Sequence, residues 1–337
     1  MKTILDTYGY RAFFDTDENT ENIGRVTAAF LNKARVMTEK GEMECDFSRS
    51  LDAPGRFGGV CAGDWVRVSE IPCGMRIEEI FDRRTHIVRK ASGPNDYEQV
   101  VSANNELTLI MTSMNKDFNL SRLERYLAAV LPGGSQPVIV LTKMDLVDSP
   151  ADLIRKAEGI SLGAPVFAVS TVTGEGMAEI ADFMRYQTSA LIGMSGVGKS
   201  SFVNYLSGGE KMKVNAIRED DSRGRHTTTH RELIALDGGI ILIDTPGMRE
   251  MALWSSGGVE DVYEDIALLA EGCRFRDCRH QAEPGCKVRE AVEAGILDKR
   301  RLRNFLLLQV EDVRAASREK RKMISKYARA TRKKGGD

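Results

Sequence analysis

The segment Gly193-Met-Ser-Gly-Val-Gly-Lys-Ser200 constrains the fold of this 337-residue chain more than any other, through its residues and its late position. It fits the pattern G-x-x-x-x-G-K-[ST], in which glycines allow the backbone to wrap closely around phosphate groups. The apolar run 189–193 predicts a buried strand before the loop, and the residues from Lys199 onward predict a helix. A loop in this context binds a nucleoside phosphate. Such a loop usually follows the first strand of its domain, whereas here 192 residues precede it.

The side chains of this loop have distinct expected roles. Lys199 should neutralise the β- and γ-phosphates, and Ser200 should ligate Mg²⁺. The helix N-terminus adds a favourable partial charge. The nucleotide-binding residues expected here are Gly193, Met194, Ser195, Gly196, Val197, Gly198, Lys199, Ser200 and Ser201.

A second phosphate-side motif follows downstream. The apolar run 240–243 predicts a strand that ends in Asp244-Thr-Pro-Gly247. We expect Asp244 in the outer shell of Mg²⁺ and the Gly247 N–H at the γ-phosphate. The hydroxyl-rich segment 224–229 lies between the two motifs, and one of its threonines, with Thr228 as the candidate, could complete the Mg²⁺ shell.

The base-reading motifs come before the phosphate loop. A predicted strand, 137–141, leads into Thr142, Lys143, Met144 and Asp145, and a second, 165–169, leads into Ser170 and Thr171. The Asp145 carboxylate can accept hydrogen bonds from the N1–H and the amine of guanine. Adenine lacks both donors at that edge, and an unpaired buried carboxylate costs about 1–3 kcal/mol or more. The order base, base, phosphate, switch, switch is a circular permutation of a usual GTPase.

Three of the six cysteines lie close together with one histidine, as Cys273-x4-Cys278-x-His280-x5-Cys286. Three thiolates and one imidazole form a closed tetrahedral set suited to structural zinc, with no open position for catalysis. The polar surroundings provide little apolar core, so that a metal could supply the missing stability. Free thiols and a disulfide are the alternatives, and a reducing compartment disfavours the disulfide. Cys45, Cys61 and Cys73 are expected to be buried or idle.

The permuted motif order resembles that of the ribosome small-subunit-dependent GTPase family (RsgA, also called YjeQ). The resemblance extends to Phe118–Leu127, to Gly63-Asp-Trp-Val66 and to the four positions of the Cys/His cluster, and it covers nearly the whole chain. It implies a multi-domain α/β protein. An N-terminal oligonucleotide-binding (OB-type) β-barrel would occupy residues 1–103, a circularly permuted P-loop GTPase domain 104–262, and a zinc-binding helical domain with a basic tail 263–337.

The resemblance also implies a function. The expected activity is hydrolysis of GTP to GDP and phosphate, stimulated by the small ribosomal subunit during late small-subunit (30S) maturation. The expected cofactors are GTP or GDP, Mg²⁺ held through Ser200, and one structural Zn²⁺. The expected partners are the small subunit and its rRNA, with no membrane, and the protein would be a monomer in the cytoplasm.

Composition agrees with a cytoplasmic protein. No run approaches the 18 apolar residues of a membrane span, and the first residues lack the apolar core of a signal peptide.

The net charge is −1, but residues 314–334 contain ten Lys or Arg and one acidic residue, Glu319. This segment is either a solvated helix or a contact to RNA phosphates. Short alternating runs in residues 1–103 predict an antiparallel barrel, whose Arg83, Arg84, Arg89 and Lys90 either face RNA or are solvated.

Two residues depart from the family pattern, and a third position bears on catalysis. Thr142 stands where Asn is usual, which predicts weaker guanine binding. Asn104 and its neighbours replace an expected Asp before the strand 107–111, and the sequence does not define a consequence of this change.

Met248 follows Gly247 where many GTPases place a water-orienting Gln, so that intrinsic turnover should be slow and partner-dependent. His226, shared with the family, is the candidate to orient water, and a solvent-exposed loop histidine is the alternative.

Three other functions remain open from the sequence alone. An ATPase would treat Thr142–Asp145 as irrelevant to the base. A nucleotide-regulated RNA-binding scaffold with little catalysis would accommodate Met248, although Lys199, Ser200 and Asp244 favour an enzyme. A tRNA- or mRNA-directed factor would use the same barrel and basic segment.

Overall fold

An eleven-stranded sheet runs through most of the chain in the computed structural model. The structure describes residues 3–14, 20–47, 51, 59–90, 98–209, 232–244, 258–311 and 313. These residues belong to two compact units, Met1–Ala252 and Leu253–Asp337, of which the first contains the whole sheet.

The first five strands close into a barrel. They are β1 (Ile23–Ala29), β2 (Lys33–Thr38), β3 (Gly41–Phe47), β4 (Trp65–Ile71) and β5 (Gly74–Ile80). Their order is β1-β2-β3-β5-β4, and β4 pairs back with β1. Alternate side chains such as Val26, Val36 and Ile77 fill the interior and are fully buried. The closed five-stranded barrel confirms the expected OB-type architecture.

Two short helices and a hairpin flank the barrel. Helices α1 (Ile4–Thr7) and α2 (Tyr10–Phe13) cover Trp65, which is fully buried and contacts the rings of Tyr10 and Phe13. Strands β6 (His86–Lys90) and β7 (Glu98–Ala103) form a separate antiparallel pair that leads into the next domain.

The remaining strands form a mostly parallel sheet. They are β8 (Leu107–Ser113), β9 (Gln136–Thr142), β10 (Val166–Val169), β11 (Thr188–Ile192), β12 (Glu232–Leu236) and β13 (Ile240–Asp244). The order is β10-β9-β8-β11-β13-β12, in which only β12 runs antiparallel to its neighbour. Every residue of β8, β11 and β13 is buried, which is typical of central parallel strands covered on both faces. The helices are α3 (Leu120–Val130), α4 (Pro150–Glu158), α5 (Met177–Phe183) and α6 (Lys199–Leu206).

The barrel and the parallel sheet are joined by strand pairing and by a buried arginine. Strand β1 pairs with β12, with Ala28 opposite Glu232, so that one sheet continues through both domains. The Arg25 guanidinium donates to the backbone oxygens of Tyr8 and Asn104. Burial lowers the pKa of Arg25 to about 10, while the carboxylates of Glu106 and Asp64 oppose that shift. Arg25 therefore remains charged at neutral pH.

The segment Asn104–Glu106 explains the departure noted in the sequence. Asn104 adopts a left-handed φ of 52°, and its side chain accepts from the Arg84 N–H and donates to Gly63 O. The buried Asn105 amide donates to the Thr108 and Ser135 hydroxyls. The Glu106 carboxylate accepts from the Thr188 N–H at 2.6 Å. These three side chains fix the turn from the barrel into β8 and the start of β11.

Arg83 does not serve the RNA-facing edge considered for it. Its Nε and Nη2 donate to the two Asp64 oxygens at 2.7 and 2.8 Å, and its side chain is 12% exposed. The next guanidinium, that of Arg84, donates to Ala12 O and lies 4.8 Å from the Phe13 ring. Arg83 is thus bound to Asp64 beside the barrel, whereas Arg84 contacts α2 and remains exposed.

The second unit is helical in its described part. It contains α7 (Gly258–Val262), α8 (Glu264–Glu271), α9 (Lys287–Glu293) and helical residues 299–311. The buried Tyr263 is the centre of its packing: Asn304 donates to the Tyr263 hydroxyl at 2.6 Å, and the Arg301 guanidinium lies 4.7 Å from the ring. Arg301 also binds Asp265 in a bidentate ion pair. Among the described residues of the whole chain, no helix has the length and apolar character to cross a membrane.

Candidate nucleotide-binding site and metal centre

The predicted nucleotide motifs meet at the carboxyl edge of the parallel sheet. Strands β10, β9, β11 and β13 end at Val169, Thr142, Ile192 and Asp244, directly before or within the motifs. The carboxyl ends of parallel strands share one edge, where ligands bind in open α/β sheets. Sequence order and spatial order therefore differ: the two base motifs come first in the chain but lie beside a phosphate loop that comes later.

The phosphate loop connects β11 to α6 and depends on its glycines. Gly193, Gly196 and Gly198 have φ values of 151°, 81° and 101°, which L side chains adopt only with strain. A Cβ at Gly193 would lie 2.5 Å from Met111 O of β8, so this position also needs glycine for space. The Lys199 ammonium lies inside the loop and donates to Gly193 O at 2.7 Å and to Met194 O at 2.8 Å.

The first base motif is bonded directly to the phosphate loop. The buried Thr142 hydroxyl donates to Val197 O at 2.5 Å. Lys143 has a left-handed φ of 59°, and its ammonium donates to Gly196 O at 2.6 Å. A non-glycine residue rarely adopts this backbone conformation unless its surroundings compensate for the strain. Together the two donors join the loop after β9 to the loop after β11.

The second base motif orients the carboxylate of the first. The Ser170 hydroxyl donates to Asp145 Oδ1 at 2.6 Å and accepts from the N–H groups of Val172 and Thr173. Thr171 follows in the same turn, which Gly174 N–H closes by donating to Ser170 O. One Asp145 oxygen is thus fixed, and the side chain stays solvent-exposed beside Met144, as a base-reading carboxylate requires.

Lys199 and Asp244 set the electrostatics of the phosphate side. Burial lowers the pKa of Lys199 below its ordinary value, and the Asp244 carboxylate opposes that shift. Asp244 is 7% exposed and pairs in register with Leu191, beside the end of β11. A phosphate bound in the loop would act in the same direction as Asp244, because a nearby anion favours the charged ammonium. Ser200 and Ser201 occupy the first turn of α6.

Three predicted residues cannot be placed. His226, Thr228 and Gly247 lie outside the described residues, as do the segment 224–229 and Met248.

The Cys/His cluster of the second unit does come together. The ligand atoms of Cys273, Cys278, His280 and Cys286 all lie within 4.8 Å of one another. The Sγ atoms of Cys273 and Cys286 are 3.9 Å apart, and His280 Nδ1 lies 3.7 and 3.4 Å from them. Two thiolates bound at about 2.3 Å to one tetrahedral zinc ion lie about 3.8 Å apart. The four residues can hold a metal ion, and their donor set and spacing fit zinc.

The surrounding loop stabilises this arrangement. The Glu283 carboxylate accepts from the N–H groups of Arg279, Gln281 and Ala282. Backbone donors, its own N–H first, lower the pKa of Glu283 to about 2. Burial lowers the pKa of His280, with Glu283 opposing, which favours the neutral imidazole that binds metals. Outside this cluster, Cys45 and Cys61 are buried as expected, and Cys73 is exposed.

The sequence did not reveal the bonds that connect the two halves of the site. Its prediction for Thr142 concerned a lost amide, whereas the structure shows a hydroxyl bonded to Val197 O. The permuted motif order implied that the first base motif and the phosphate loop lie close together. No spacing in the sequence indicates which backbone oxygen accepts a hydrogen bond from the Thr142 side chain.

Replacement of Thr142 by valine tests the bond to the phosphate loop. Valine keeps the shape but leaves Val197 O without its donor, at a cost of about 1 kcal/mol. We expect Thr142→Val to bind a fluorescent GDP analogue about fivefold more weakly than the wild type, in an equilibrium titration. The matched variant Thr142→Ser keeps the hydroxyl and should bind like the wild type. Equal affinities for the valine and serine variants would show that the bond does not support nucleotide binding.

Two family models match the chain. The model described as RsgA GTPase matches residues 80–254, about half of the sequence. The model described as 50S ribosome-binding GTPase matches residues 188–334, and its match begins at the first residue of β11, the strand that leads into the phosphate loop.

Relatives that align over most of the chain agree with the first model, and two solved structures share the fold. A Listeria innocua protein named small ribosomal subunit biogenesis GTPase RsgA 1 is 41% identical over 315 residues, covering 91% of this chain and 89% of the relative. A Streptomyces coelicolor protein named small ribosomal subunit biogenesis GTPase RsgA is 40% identical over 299 residues, covering 88% and 81%. The crystal structure of YjeQ from Thermotoga maritima has the same fold, with a TM-score of 0.61 at 24% identity over 87% of this chain and 98% of that one. The structure of YloQ, described as a circularly permuted GTPase, gives 0.59 at 22% identity over 88% and 97%. The chain belongs to the RsgA GTPase family.

Proposed function

We propose that this GTP hydrolase acts in the biogenesis of the small ribosomal subunit and that the subunit stimulates its hydrolysis. The observation that carries the proposal is the match, over about nine tenths of the chain, to relatives that are named for this function. The assembled site supports the enzymatic part, because both base motifs and the phosphate loop lie at one sheet edge and are hydrogen-bonded to each other.

The residues of the site divide between guanine and phosphate. Asp145, fixed by Ser170, accepts from the guanine edge, while Lys143 and Thr142 hold the base loop against the phosphate loop. The backbone of residues 193–201 binds the phosphates, and Lys199 neutralises their charge. Ser200, Asp244 and Gly247 belong to the Mg²⁺ and γ-phosphate side. Bound Mg²⁺ supplies neutralisation of the charge that develops on the phosphate oxygens.

Hydrolysis requires a water aligned with the γ-phosphate, and the proposed catalytic residues are His226, Thr228 and Lys199. His226 orients the water, because Met248 offers no hydrogen-bonding group where many GTPases have Gln. Thr228 would complete the Mg²⁺ shell, and Lys199 would stabilise the transferred phosphoryl group. Positioning and charge neutralisation account for most of the barrier reduction in this chemistry.

The Cys273, Cys278, His280 and Cys286 cluster is proposed to bind one structural zinc ion. The supporting observation is that four ligand atoms of the types zinc prefers converge at distances close to those of a tetrahedral site. Four protein ligands leave no position for water, so the ion would hold the loop together and take no part in hydrolysis.

Zinc analysis of the purified protein tests this assignment. We expect about one zinc per chain by elemental mass spectrometry and loss of that zinc in Cys286→Ser, because three ligands hold the ion far more weakly than four. Cys73→Ser, which alters an exposed cysteine outside the cluster, should keep the full zinc content. Equal zinc content in the two variants would contradict the site.

Further proposals concern organisation and setting. We propose three domains, a barrel at 1–103, the permuted GTPase domain at 104–262 and the zinc-binding domain with its basic tail at 263–337. We also propose that the protein is a cytoplasmic monomer that contacts rRNA of the small subunit. The charge of the segment 314–334, which lies outside the described residues, supports the rRNA contact.

The decisive experiment for the proposed function is GTP hydrolysis with purified ribosomal subunits. We expect slow turnover by the protein alone and stimulation of at least about tenfold by small subunits, because Met248 leaves water orientation to a partner-dependent arrangement. Large subunits at the same concentration serve as the control. GTP binding without any stimulation by small subunits would contradict the proposal and favour a nucleotide-regulated RNA-binding scaffold.

The same assay separates the role of His226 from that of the partner. His226→Ala should keep GDP binding and subunit binding but lose most of the stimulated rate. Stimulated hydrolysis at the wild-type rate in this variant would refute the role of His226 and leave the ribosomal function standing.

A further inference from the structure

We propose that Phe275 is a stacking platform for an unpaired RNA base and that Arg274, Arg276 and Arg279 contact the phosphates on either side of it. These four residues are called the Phe275 platform below. The inference rests on the proposed function, because the RNA would be rRNA of the small subunit. It adds the chemical class of the contact and the residues that make it.

Phe275 is an aromatic residue without a role in the core. Its side chain is 42% exposed, whereas Tyr263 and Phe305 of the same unit are 0% and 6% exposed and pack against each other with tilted rings. The Arg274 guanidinium lies 5.6 Å from the centre of the Phe275 ring. An exposed aromatic ring beside a guanidinium is the combination on which proteins stack unpaired bases.

The arginines of the platform differ from several other cations of the unit in having no carboxylate partner among the described residues. Lys287, Arg289 and Arg301 each form an ion pair with a carboxylate. Within the described part of the chain, the guanidinium groups of Arg274, Arg276 and Arg279 have no such partner, and all three residues are exposed. Residues 273–286 contain three arginines and two carboxylates, Asp277 and Glu283, and the Glu283 carboxylate is already bonded to backbone N–H groups of its own loop. This charge pattern is complementary to phosphate.

The loop that carries the platform is fixed before any ligand arrives. Cys273 and Cys278 bracket Phe275, and their sulfur atoms belong to the metal cluster. The Arg274 N–H donates to Gly285 O at 3.1 Å, and the Cys278 N–H donates to Phe275 O at 3.3 Å. A ring held in this way loses little conformational entropy on binding, which strengthens a stacking contact.

These observations favour unpaired RNA over duplex RNA and over an acidic protein. Bases in a duplex are already stacked on each other and cannot reach a protruding ring. An acidic peptide would use the arginines but would gain little from an exposed phenyl ring beside them. Only an unpaired nucleotide with its phosphates uses both parts of the platform.

Binding of short labelled RNAs to the full-length protein tests the proposal. The probes are an RNA hairpin with an unpaired loop and a blunt RNA duplex of the same stem sequence. Phe275→Ala should weaken hairpin binding by about five- to a hundredfold and leave duplex binding unchanged, because only the hairpin supplies a base to stack. Phe275→Tyr keeps the ring and should bind like the wild type. Arg276→Ala should weaken both RNAs and flatten the dependence of affinity on salt.

Controls distinguish loss of the stacking contact from loss of folding and from failure of the proposed function. Leu268→Ala removes an exposed apolar side chain of the same unit and should not affect either RNA. Zinc content and the melting temperature of each variant show that the unit is folded. Hairpin affinity of Phe275→Ala within twofold of the wild type overturns the platform, as does an equal loss on hairpin and duplex. Loss of small-subunit binding without loss of hairpin binding would indicate an acidic protein and also overturns it.

Sedimentation of the wild type with small subunits completes the design. If the wild type binds subunits while Phe275→Ala binds hairpin and subunits equally well, only this inference fails. If the wild type fails to bind small subunits, the proposed function fails and the inference fails with it.

Discussion

The contact on which the nucleotide site depends is the pair of hydrogen bonds from Thr142 and Lys143 to the backbone oxygens of Val197 and Gly196. The two segments are separated by about fifty residues and arrive in the reverse of the usual chain order. Neither bond depends on the order of the segments in the chain, because both bonds connect loops that follow the carboxyl ends of parallel strands at one edge of the sheet. Circular permutation changes which strands are connected and preserves which strands are neighbours.

The permuted connections also determine where the other parts of the chain attach. The barrel joins the sheet at β12, next to β13 and the phosphate side, whereas the guanine side ends at β10 on the opposite edge. Arg25, Asn104 and Glu106 hold the barrel to the first residues of β8 and β11, the two central strands. The chain that follows β13 leads into the second unit, which carries the metal cluster and the Phe275 platform.

Much of this was predictable because the motifs encode local geometry. The phosphate loop needs glycine at Gly193, Gly196 and Gly198, and the structure has positive φ at all three. The four metal ligands were predicted from their residue types, their clustering in the sequence and their resemblance to the family pattern, and their atoms converge. The contacts that needed tertiary structure were not predictable: the bond of Thr142 to Val197 O, the enclosure of Arg83 by Asp64, and the exposure of Phe275. Sequence patterns identify which side chains share one face of a helix or strand. They do not identify the hydrogen-bond or ion-pair partner of a polar group when that partner lies on an element distant in sequence.

The central claim is that the early base motif and the late phosphate loop form one guanine nucleotide site. Calorimetric titration of the wild type and Asp145→Asn with GDP and with xanthosine diphosphate tests it most directly. An amide at position 145 can donate to the carbonyl that xanthine has in place of the guanine amine. We predict that Asp145→Asn loses at least about tenfold in GDP affinity and binds xanthosine diphosphate more tightly than the wild type does. Unchanged GDP affinity in Asp145→Asn would show that the early motif does not read the base.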